Sequence, residues 1–332
     1  MHVPVESVAR IRRHWYDTHA ALRRTLRRPV ISVGSVEFGG SGKTPAVVHL
    51  AQMLMDMGER PSIVSRGYGR ALNVEGVVVV SDARGIRSDL ARAGDEPLML
   101  ARRLPGVSVL VSEDRYLGGR LAEEHLNCTV HLLDDGFQHL RLSRQVDIVM
   151  LSHAHLGKPD RPTRESINAA GAADAVVVSH EPTTRLDDVR GRLPHPMLFS
   201  AAVTAGEPHL LEPLGRPFLP KAGTPVLVVA AIARAERFMA DVRRAGLVVS
   251  GQLLFRDHHL FSARDVDEIV RGCERGGAHL VLTTEKDVVR LLPHRPLPVT
   301  VAWLPISLTI EPHESFRNWL IVRLESARRG LS

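Results

Sequence analysis

Residues 33 to 45, VGSVEFGGSGKTP, decide the fold of this chain, because their second half has the composition of a phosphate-binding loop. Such a loop binds phosphate oxygens through successive backbone N–H groups at the start of a helix, with a lysine and a hydroxyl close by. Lys43 and Thr44 supply the last two groups, while Glu37 stands where the strict pattern has its first glycine. The motif is therefore either an unusual nucleotide site or a glycine-rich turn that carries an exposed lysine.

The sequence on both sides of the turn favours the nucleotide site. Residues 30 to 33 are typical of a short buried strand, and residues 44 to 57 carry apolar side chains at helical spacing. Pro45 suits the first turn of a helix, where its missing N–H costs little. A strand before the loop and a helix after it are the context that the motif requires. We predict that the nucleotide is bound by Gly39, Gly40, Ser41, Gly42, Lys43 and Thr44.

Further short apolar runs alternate with helix-like segments after this loop. The runs are residues 63 to 64, 77 to 80, 107 to 111, 130 to 133, 148 to 151 and 175 to 178, and the helix-like segments include 97 to 104 and 115 to 126. Strands that are apolar throughout and separated by helices predict an α/β fold, in which helices cover both faces of a parallel sheet.

A Pro- and Gly-rich stretch at residues 213 to 225 precedes a second series of strands and helices. We therefore predict a second, smaller α/β domain after the first. The expected division is a basic N-terminal segment at 1–28, a phosphate-loop domain at 29–215, the smaller domain at 216–312, and a C-terminal helix at 313–332 that could pack back on the first domain.

The charge balance favours an anionic partner. The chain has 332 residues, with 43 Lys and Arg against 37 Asp and Glu, which gives a formal charge of +6. Aromatic residues make up only 4% and are not interleaved with the basic residues, so a nucleic-acid surface is not expected. Cys128 and Cys273 lie far apart without metal-type spacing, so a disulfide framework or a zinc site is not expected and a reducing compartment fits.

The N-terminal segment has no apolar run of the ~20 residues that would span a bilayer, and no cleavable signal. Residues 5 to 28 instead show the pattern of a basic amphipathic helix, with Val8, Ile11, Trp15, Leu22 and Leu26 spaced among arginines. Such a helix either lies on an anionic membrane surface or packs on the body of the protein with a solvated basic face. The pattern alone leaves both possibilities open.

Two adjacent carboxylates follow a predicted strand in VHLLDDGFQH, residues 130 to 139. Asp134 and Asp135 stand at the carboxyl end of that strand, the edge at which parallel sheets bind their ligands. Neighbouring carboxylates repel one another unless a cation or a donor compensates, so Mg²⁺ is the natural partner. A solvated turn is the alternative.

Seven motifs, in one order along the chain, resemble those of the tetraacyldisaccharide 4'-kinases, the lipid A 4'-kinases. They are GGSGKTP at 39–45, SRGYG at 65–69, GDEP at 94–97, EDRYLGG at 113–119, DDGFQHLRL at 134–142, RDHHLFS at 256–262 and TTEKDVVR at 283–290. Each motif is short, but the ordered set is specific and covers most of residues 30 to 290. The loop of this family resembles GGxGKTP, which accounts for the absent first glycine.

The resemblance implies a P-loop kinase that transfers the γ-phosphate of ATP to the 4'-hydroxyl of a tetraacylated glucosamine disaccharide 1-phosphate. It implies that Lys43 holds the phosphates. It implies further that Thr44, with one or both of Asp134 and Asp135, holds Mg²⁺.

Asp95 of the GDEP motif is implied to act as the base on the sugar hydroxyl, and His258 to pair with it from the second domain. Without the resemblance, Asp95 is more readily a helix N-cap and His258 a surface histidine. The substrate residues that we expect are Arg66, Gly67, Tyr68, Arg115 and His139. An arginine in such a loop is also commonly a structural ion-pair partner.

Three stretches depart from the family pattern. The basic N-terminal segment replaces a hydrophobic membrane helix. The stretch KPDRPTRE, residues 158 to 165, keeps Arg164 and Glu165, and we count Glu165 among the catalytic residues. The turn AAIA at residues 230 to 233 stands where the family has an AGIG-like turn, so that it has no glycine for a positive φ. A shifted lipid preference or a weaker activity would follow.

The leading hypothesis is a monomeric lipid kinase that uses ATP and Mg²⁺ at the cytoplasmic face of the bacterial inner membrane, as a peripheral protein. The first alternative is a nucleotide-switching P-loop NTPase that regulates a protein partner. The second is a membrane-surface binding protein with a decayed kinase site, which the intact site residues speak against.

Overall fold

The computed structural model describes residues 5–72, 74–156, 163–180, 191, 193 and 195–331. The first strands are β1 (Val30–Gly34), β2 (Pro61–Ser65), β3 (Val78–Asp82), β4 (Gly85–Ile86), β5 (Ser108–Val111), β6 (Val130–Asp134), β7 (Val146–Ser152) and β8 (Ala175–His180). The others are β9 (Leu198–Ala205), β10 (His209–Leu210), β11 (Arg216–Pro217), β12 (Pro225–Ala230), β13 (Val248–Leu254), β14 (Leu280–Thr284), β15 (Thr300–Leu304) and β16 (Ile306–Glu311).

The helices of the described residues cover both sheets. They are α1 (Val5–Thr18), α2 (Lys43–Asp56), α3 (Leu90–Ala93), α4 (Asp95–Arg103), α5 (Arg115–His125), α6 (His153–Leu156), α7 (Ala235–Arg244), α8 (Ala263–Gly276), α9 (Glu285–Leu291) and α10 (His313–Leu331). Short 3₁₀ turns lie at Ala20–Leu22, Ile167–Ala172 and Leu292–His294.

The larger sheet has the strand order β16-β9-β8-β7-β1-β6-β2-β5-β3-β4. Its central strands, from β9 to β5, are parallel, as the apolar runs predict. The strands at its two edges are antiparallel to their neighbours, so the sheet is mixed rather than wholly parallel. Val176 and Val178 lie in one core cluster and Val177 lies in another, because successive side chains of β8 face opposite, helix-covered sides.

The smaller sheet has the order β11-β10-β15-β14-β12-β13. Its four main strands, β15, β14, β12 and β13, are parallel, and two short strands add antiparallel pairs at one edge. Cys128 and Cys273 are both buried free thiols, one associated with each sheet.

The chain passes between the two sheets at positions that differ from the predicted domain boundaries. The strand β10 belongs to the smaller sheet although it precedes residue 216, and β16 belongs to the larger sheet although it lies within 216–312. Leu308 and Ile310 of β16 are buried in the core of the larger sheet. The helix α10 packs on the same core through Phe316, Leu320 and Leu324.

The N-terminal segment does not form one helix over residues 5 to 28. The helix α1 ends at Thr18, and the chain continues through a 3₁₀ turn into an extended conformation at Arg23. Leu26 is buried against α5, where a Cβ on Gly119 would lie 2.2 Å from its Cδ1. The other predicted apolar residues, Val8, Ile11, Trp15 and Leu22, are exposed. Residues 1–4 lie outside the described part of the chain, and no helix in that part is both long and apolar enough to span a bilayer.

Candidate active site

The phosphate-binding loop joins β1 to α2. Gly39, Gly40 and Gly42 have φ angles of +67°, +68° and +87°, which residues with a Cβ rarely adopt. The helix α2 begins at Lys43 directly after these glycines. Because the first N–H groups of a helix have no partner within it, the loop offers a set of donors to an anion.

The buried side chain of Glu37, at the position of the missing first glycine, is hydrogen-bonded to the neighbouring strand. Its carboxylate accepts hydrogen bonds from the backbone N–H of Ser152 at 2.5 Å and from the hydroxyl of Ser152 at 2.7 Å. Ser152 is the last residue of β7, the strand beside β1. The entry to the loop is therefore fixed by a side-chain contact to the neighbouring strand.

The two predicted metal ligands lie next to the loop. Asp134 ends β6, which pairs with β1, and Asp135 follows with a φ of +56°. The Nζ of Lys43 lies 3.5 Å from Oδ1 of Asp135, and Arg164 donates to Oδ2 of Asp135 at 2.5 Å. The positive φ turns Asp135 toward these two cations and away from the path of the strand.

This pair of carboxylates fits a divalent cation. Burial and the nearby carboxylates of Glu96 and Asp135 raise the pKa of Asp134 to about 7. The Oδ1 atom of Asp135 is buried and accepts no hydrogen bond. A hard cation prefers oxygen ligands, and Thr44 with the oxygens of a bound phosphate would complete the set. Within the described ranges, no cluster of three or more His, Cys, Asp or Glu residues would hold a metal by itself.

The predicted contact between Asp95 and His258 is confirmed. The Nδ1 atom of His258 lies 2.9 Å from Oδ2 of Asp95. Asp95 begins α4 on the larger sheet, and His258 lies between β13 and α8 on the smaller one. His258 has a φ of +61°, a left-handed conformation that costs energy in a residue with a side chain and is often found at functional sites. The pair therefore links the two sheets.

A buried arginine holds the same carboxylate. Arg290, on α9, donates to Oδ2 of Asp95 through Nε at 2.9 Å and also through Nη2. Its Nη1 donates to Oδ1 of Asp287 at 2.7 Å and to the carbonyl of Ala231 at 2.9 Å. The guanidinium thus joins a carboxylate of the larger sheet to a carboxylate of the smaller one.

The charges around Asp95 keep it ionised. Burial alone would raise the pKa of Asp95. The hydrogen bond from His258 and the charges of Lys286 and Arg290 outweigh burial and lower that pKa below its ordinary value. The carboxylate is therefore a hydrogen-bond acceptor throughout the neutral pH range.

Two cations lie beside the ring of His258. The Nζ of Lys286 donates to Oε1 of Glu96 at 3.0 Å and lies 3.3 Å from Nε2 of His258. Nη2 of Arg290 lies 3.4 Å from Nδ1 of the same ring, the atom that faces Oδ2 of Asp95. Lys286 and Arg290 therefore surround the Asp95–His258 pair with positive charge.

The SRGYG loop, residues 65 to 69, packs against this pair. The ring of Tyr68 meets the ring of His258 edge-on, with centroids 5.4 Å apart. Gly94 has a φ of +84°, and a Cβ there would lie 3.0 Å from the carbonyl oxygen of Tyr68. Gly67 is buried in the loop, whereas Arg66 is exposed. Two motifs far apart in sequence thus meet at Asp95.

A cavity of about 720 Å³ opens between Asp135 and the N-terminal segment. Its basic lining consists of Arg12, Arg24, Arg66, Arg115, Arg141 and Arg164, with His139 among them. Burial lowers the pKa of Arg115 to about 10, so this arginine is still a cation at neutral pH. Burial and the charge of Arg115 lower the pKa of His139 to about 4, so the imidazole is neutral. The cavity is suited to an anionic, hydrogen-bonding ligand.

A larger cleft, of about 1440 Å³, opens at the start of the loop. It is lined by Glu37, Phe38 and Gly39 of the loop, by the ends of β7 and β8, and by residues of α7. The larger cleft therefore reaches the phosphate loop at Gly39, whereas the basic cavity reaches Asp135.

The sequence matches the family model described as tetraacyldisaccharide-1-P 4'-kinase over residues 2–325. The chain belongs to this family. A tetraacyldisaccharide 4'-kinase of Pelobacter propionicus is 38% identical over 294 residues, which cover 86% of this chain and 80% of that protein. A protein of the same name from Geobacter sulfurreducens is 38% identical over 304 residues, covering 88% and 83%.

The fold agrees with the family. The crystal structure of LpxK from Aquifex aeolicus in complex with ATP matches with a TM-score of 0.74 and 30% identity, and 96% of each chain is covered. The chain is thus an ATP-dependent kinase of the lipid A 4'-kinase family, a phosphotransferase with an alcohol group as acceptor. Family membership does not favour the nucleotide-switch or the decayed-site alternative.

One predicted catalytic residue lies apart from the Asp95 pair. The carboxylate of Glu165 accepts hydrogen bonds from Arg13 of α1 at 3.0 and 3.1 Å and from Gln138 at 3.0 Å. Among the described residues, Glu165 makes no direct contact with Asp95 or with Lys43. The preceding residues 157–162 of this altered stretch lie outside the described part of the chain.

The sequence analysis assigned no role to Arg290, Lys286 or Glu96, although all three surround the Asp95–His258 pair. The signal that could have found them is their place in the motifs GDEP and TTEKDVVR. Their contacts span up to 195 residues of sequence, so no local pattern indicates which groups meet.

Proposed function

We propose that the chain phosphorylates the 4'-hydroxyl of a tetraacylated glucosamine disaccharide 1-phosphate with a catalytic pair assembled from its two α/β units, taken as two domains. The observation that carries this proposal is the 2.9 Å contact between Asp95 and His258 beside a formed phosphate loop. One unit supplies the loop and Asp95, and the other supplies His258. A reaction of this kind depends on positioning more than on bond chemistry at the protein.

The loop and the side chains next to it would bind the phosphates of ATP. The backbone N–H groups around Gly39 to Lys43 would bind the phosphate oxygens of ATP, and Lys43 would neutralise charge on the outer phosphates. Thr44, Asp134 and Asp135 would hold Mg²⁺, which supplies charge neutralisation when bound. The Oδ1 of Asp135, which faces Lys43 but accepts no hydrogen bond, and the raised pKa of Asp134 support this assignment.

The two cavities suit the two substrates. The larger cleft reaches the loop at Gly39 beside the ends of β7 and β8, and the nucleoside of ATP would lie there. The basic cavity reaches Asp135, and it would take the anionic disaccharide through Arg66, Arg115 and His139. With this placing, the γ-phosphate lies between donor and acceptor.

Asp95 would accept a hydrogen bond from the acceptor hydroxyl of the sugar. Its Oδ2 atom is occupied by His258 and Arg290, and its Oδ1 accepts only the backbone N–H of Glu96 at 2.8 Å among the described contacts. The sugar hydroxyl would donate to Oδ1. Because the pKa of Asp95 is lowered, it takes the proton late, which a loose transition state tolerates. His258 and Arg290 hold the carboxylate in place through Oδ2.

Glu165 fits a positioning role better than a chemical one, because Arg13 and Gln138 occupy its carboxylate. Arg164, the residue before it, holds Asp135. Glu165 would therefore act on the reaction through the metal carboxylate.

The exposed face of α1 would rest on an anionic membrane. Ile11 and Trp15 are 65% and 44% exposed, and exposed arginines lie beside them on the same helix. An amphipathic helix of this kind binds in the interface plane. We place the protein, as a monomer, at the cytoplasmic face of the bacterial inner membrane, where this substrate class is made.

The test is transfer of label from [γ-³²P]ATP to the disaccharide 1-phosphate lipid in detergent micelles with Mg²⁺. The wild-type protein should form a bisphosphorylated lipid. The variant Lys43→Ala should lose on the order of 10²- to 10³-fold in turnover, because one cation on the transferring phosphate is gone. Its fold should be intact, since the side chain of Lys43 pairs with Asp135 and lies outside the core. A folded Lys43→Ala protein with wild-type turnover would contradict the assignment of the loop.

A further inference from the structure

The turn between β12 and α7 places an arginine of the smaller sheet directly on the phosphate loop of the larger one. A Cβ built on Gly40 would lie 2.3 Å from Nε and 2.4 Å from Cζ of Arg234. The guanidinium therefore occupies the space that a side chain at position 40 would fill. Residue 40 is in the middle of the set of backbone N–H groups that receive phosphate.

This turn is the one that departs from the family pattern, because residues 230 to 233 read AAIA and Arg234 follows them. The backbone of this turn is hydrogen-bonded to residues that surround the Asp95–His258 pair. The N–H of Ala231 donates to Asp287 at 3.1 Å, and its carbonyl accepts from Arg290 at 2.9 Å and from the N–H of His258 at 3.2 Å. The contacts that fix the position of His258 therefore also fix the turn that carries Arg234.

The surroundings of Arg234 suit an anion at the loop. Arg234 and Arg237 both line the large cleft, and the guanidinium of Arg234 is the group packed on the loop. Lys43, the first residue of α2, lies beside Asp135, with its side chain 13% exposed. A phosphate chain held by the loop would thus have two cations close to it, Lys43 and Arg234.

We propose that Arg234 binds the outer phosphates of ATP, as an arginine that the second unit supplies to the active site. This inference rests on the proposed function, since it assigns a further residue to the same reaction. A planar guanidinium can donate two parallel hydrogen bonds to phosphate oxygens, which a lysine cannot do. Charge on the transferring phosphoryl group spreads over its oxygens, so Arg234 stabilises it in the transition state.

The test compares the binding of ATP, ADP and AMP by calorimetry, without lipid, in the full-length protein. Arg234→Ala should weaken ATP binding about 10-fold or more, with a smaller effect on ADP and none on AMP, because only the outer phosphates lose a partner. Arg234→Lys should recover part of the loss. The matched control is Arg243→Ala, an exposed arginine of α7 that does not line the cleft, and it should bind all three nucleotides as the wild type does.

Turnover in micelles gives the second measurement, with kcat for Arg234→Ala expected about 10- to 100-fold below wild type. Wild-type ATP affinity and kcat in the folded variant would overturn the proposal. An equal loss of affinity for ATP and AMP would also overturn it, since the arginine would then act on the nucleoside or on the shape of the cleft. If ATP binding depends on Arg234 but the wild type phosphorylates no lipid, the proposed acceptor fails and Arg234 keeps its role.

Discussion

At the scale of single residues, the strongest constraint on the site is the buried guanidinium of Arg290. Its side chain has no solvent exposure, and it is shared between Asp95 and Asp287. A buried ion pair contributes little net stability when complete, but it is costly to break because a charge is left without a partner. Arg290 therefore binds the two units together beside the proposed Asp95–His258 pair.

Replacing Arg290 with methionine should lower the free energy of unfolding by about 3–5 kcal/mol, because two buried carboxylates lose their cation. The difference in stability between the variant and the wild type should also shrink as the pH falls below 3.8. An Asp with a lowered folded pKa adds stability above its ordinary pKa of 3.8, and that stability disappears as the pH falls through the folded value. Without Arg290 the folded pKa of Asp95 rises and this contribution shrinks.

Urea unfolding at pH 7 and across the acid range measures both effects of the Arg290 variant. Arg120→Ala removes an exposed pair with Glu124 and should leave the unfolding midpoint unchanged. If Arg290→Met is as stable as the wild type at pH 7 and across the acid range, the ion pairs of Arg290 contribute nothing to the free energy of unfolding.

Single residues show how far sequence reasoning reaches. Asp95 and His258 were predicted as a pair, and their side chains are in contact. The prediction was possible because each residue belongs to a motif of the family. Glu165 is predicted to be catalytic from the sequence, and the structure shows its contacts with Arg13 and Gln138. A motif identifies which residues matter, whereas the partner of a buried charge depends on packing between distant segments.

At the scale of elements, α1 has two faces with different contacts. Ile11 and Trp15 are on the exposed face. Arg13 points inward, donates to both carboxylate oxygens of Glu165, and stacks over the ring of Phe137 at 4.1 Å. The helix therefore connects the proposed membrane surface to the loop that follows Asp135.

Two sets of changes in α1 should give opposite results. The double variant Ile11→Ser with Trp15→Ser should lose binding to phosphatidylglycerol vesicles but retain turnover in micelles, because only the exposed face changes. Arg13→Ala should retain vesicle binding but lose about 10- to 100-fold in kcat, because Glu165 and the adjacent Arg164 shift relative to Asp135.

Arg10→Ala, an exposed arginine on the same helix, is the control and should leave kcat unchanged. High salt should weaken vesicle binding of the wild type, as screening requires. A wild-type kcat for Arg13→Ala would show that α1 does not position Asp135.

Elements also show where periodicity succeeds and fails. The parallel strands β1, β2, β5, β6, β7 and β8 and the helix α2 were predicted within about two residues of their observed ends, because they are uniformly apolar or long. The parallel strands β9 and β15 were not predicted. The strand β16 was not predicted, since its partner β9 lies far away in the chain. The N-terminal helix was predicted too long, because the burial of Leu26 on Gly119 overrides the helical spacing.

At the scale of the whole molecule, the proposed active site is assembled from two sheets. The helix α4 of the larger sheet packs on α9 of the smaller one, and Arg103 and Glu285 add a second ion pair between them at 2.5 Å. The fold class was predictable from alternating strands and helices. The assembly of the site was not, because it depends on how the two units pack on each other.

The central claim is that Asp95 and His258 act as one unit across the two sheets. The measurement that tests it most directly is kcat at saturating ATP and lipid for Asp95→Asn, His258→Ala and the double variant, all shown to be folded. Losing the acceptor of the hydroxyl proton should cost about 10²- to 10⁴-fold. Residues that act as one unit are strongly non-additive, so the double variant should be scarcely slower than the slower single variant. If the two losses multiply instead, the residues act independently and the cross-domain pair is wrong.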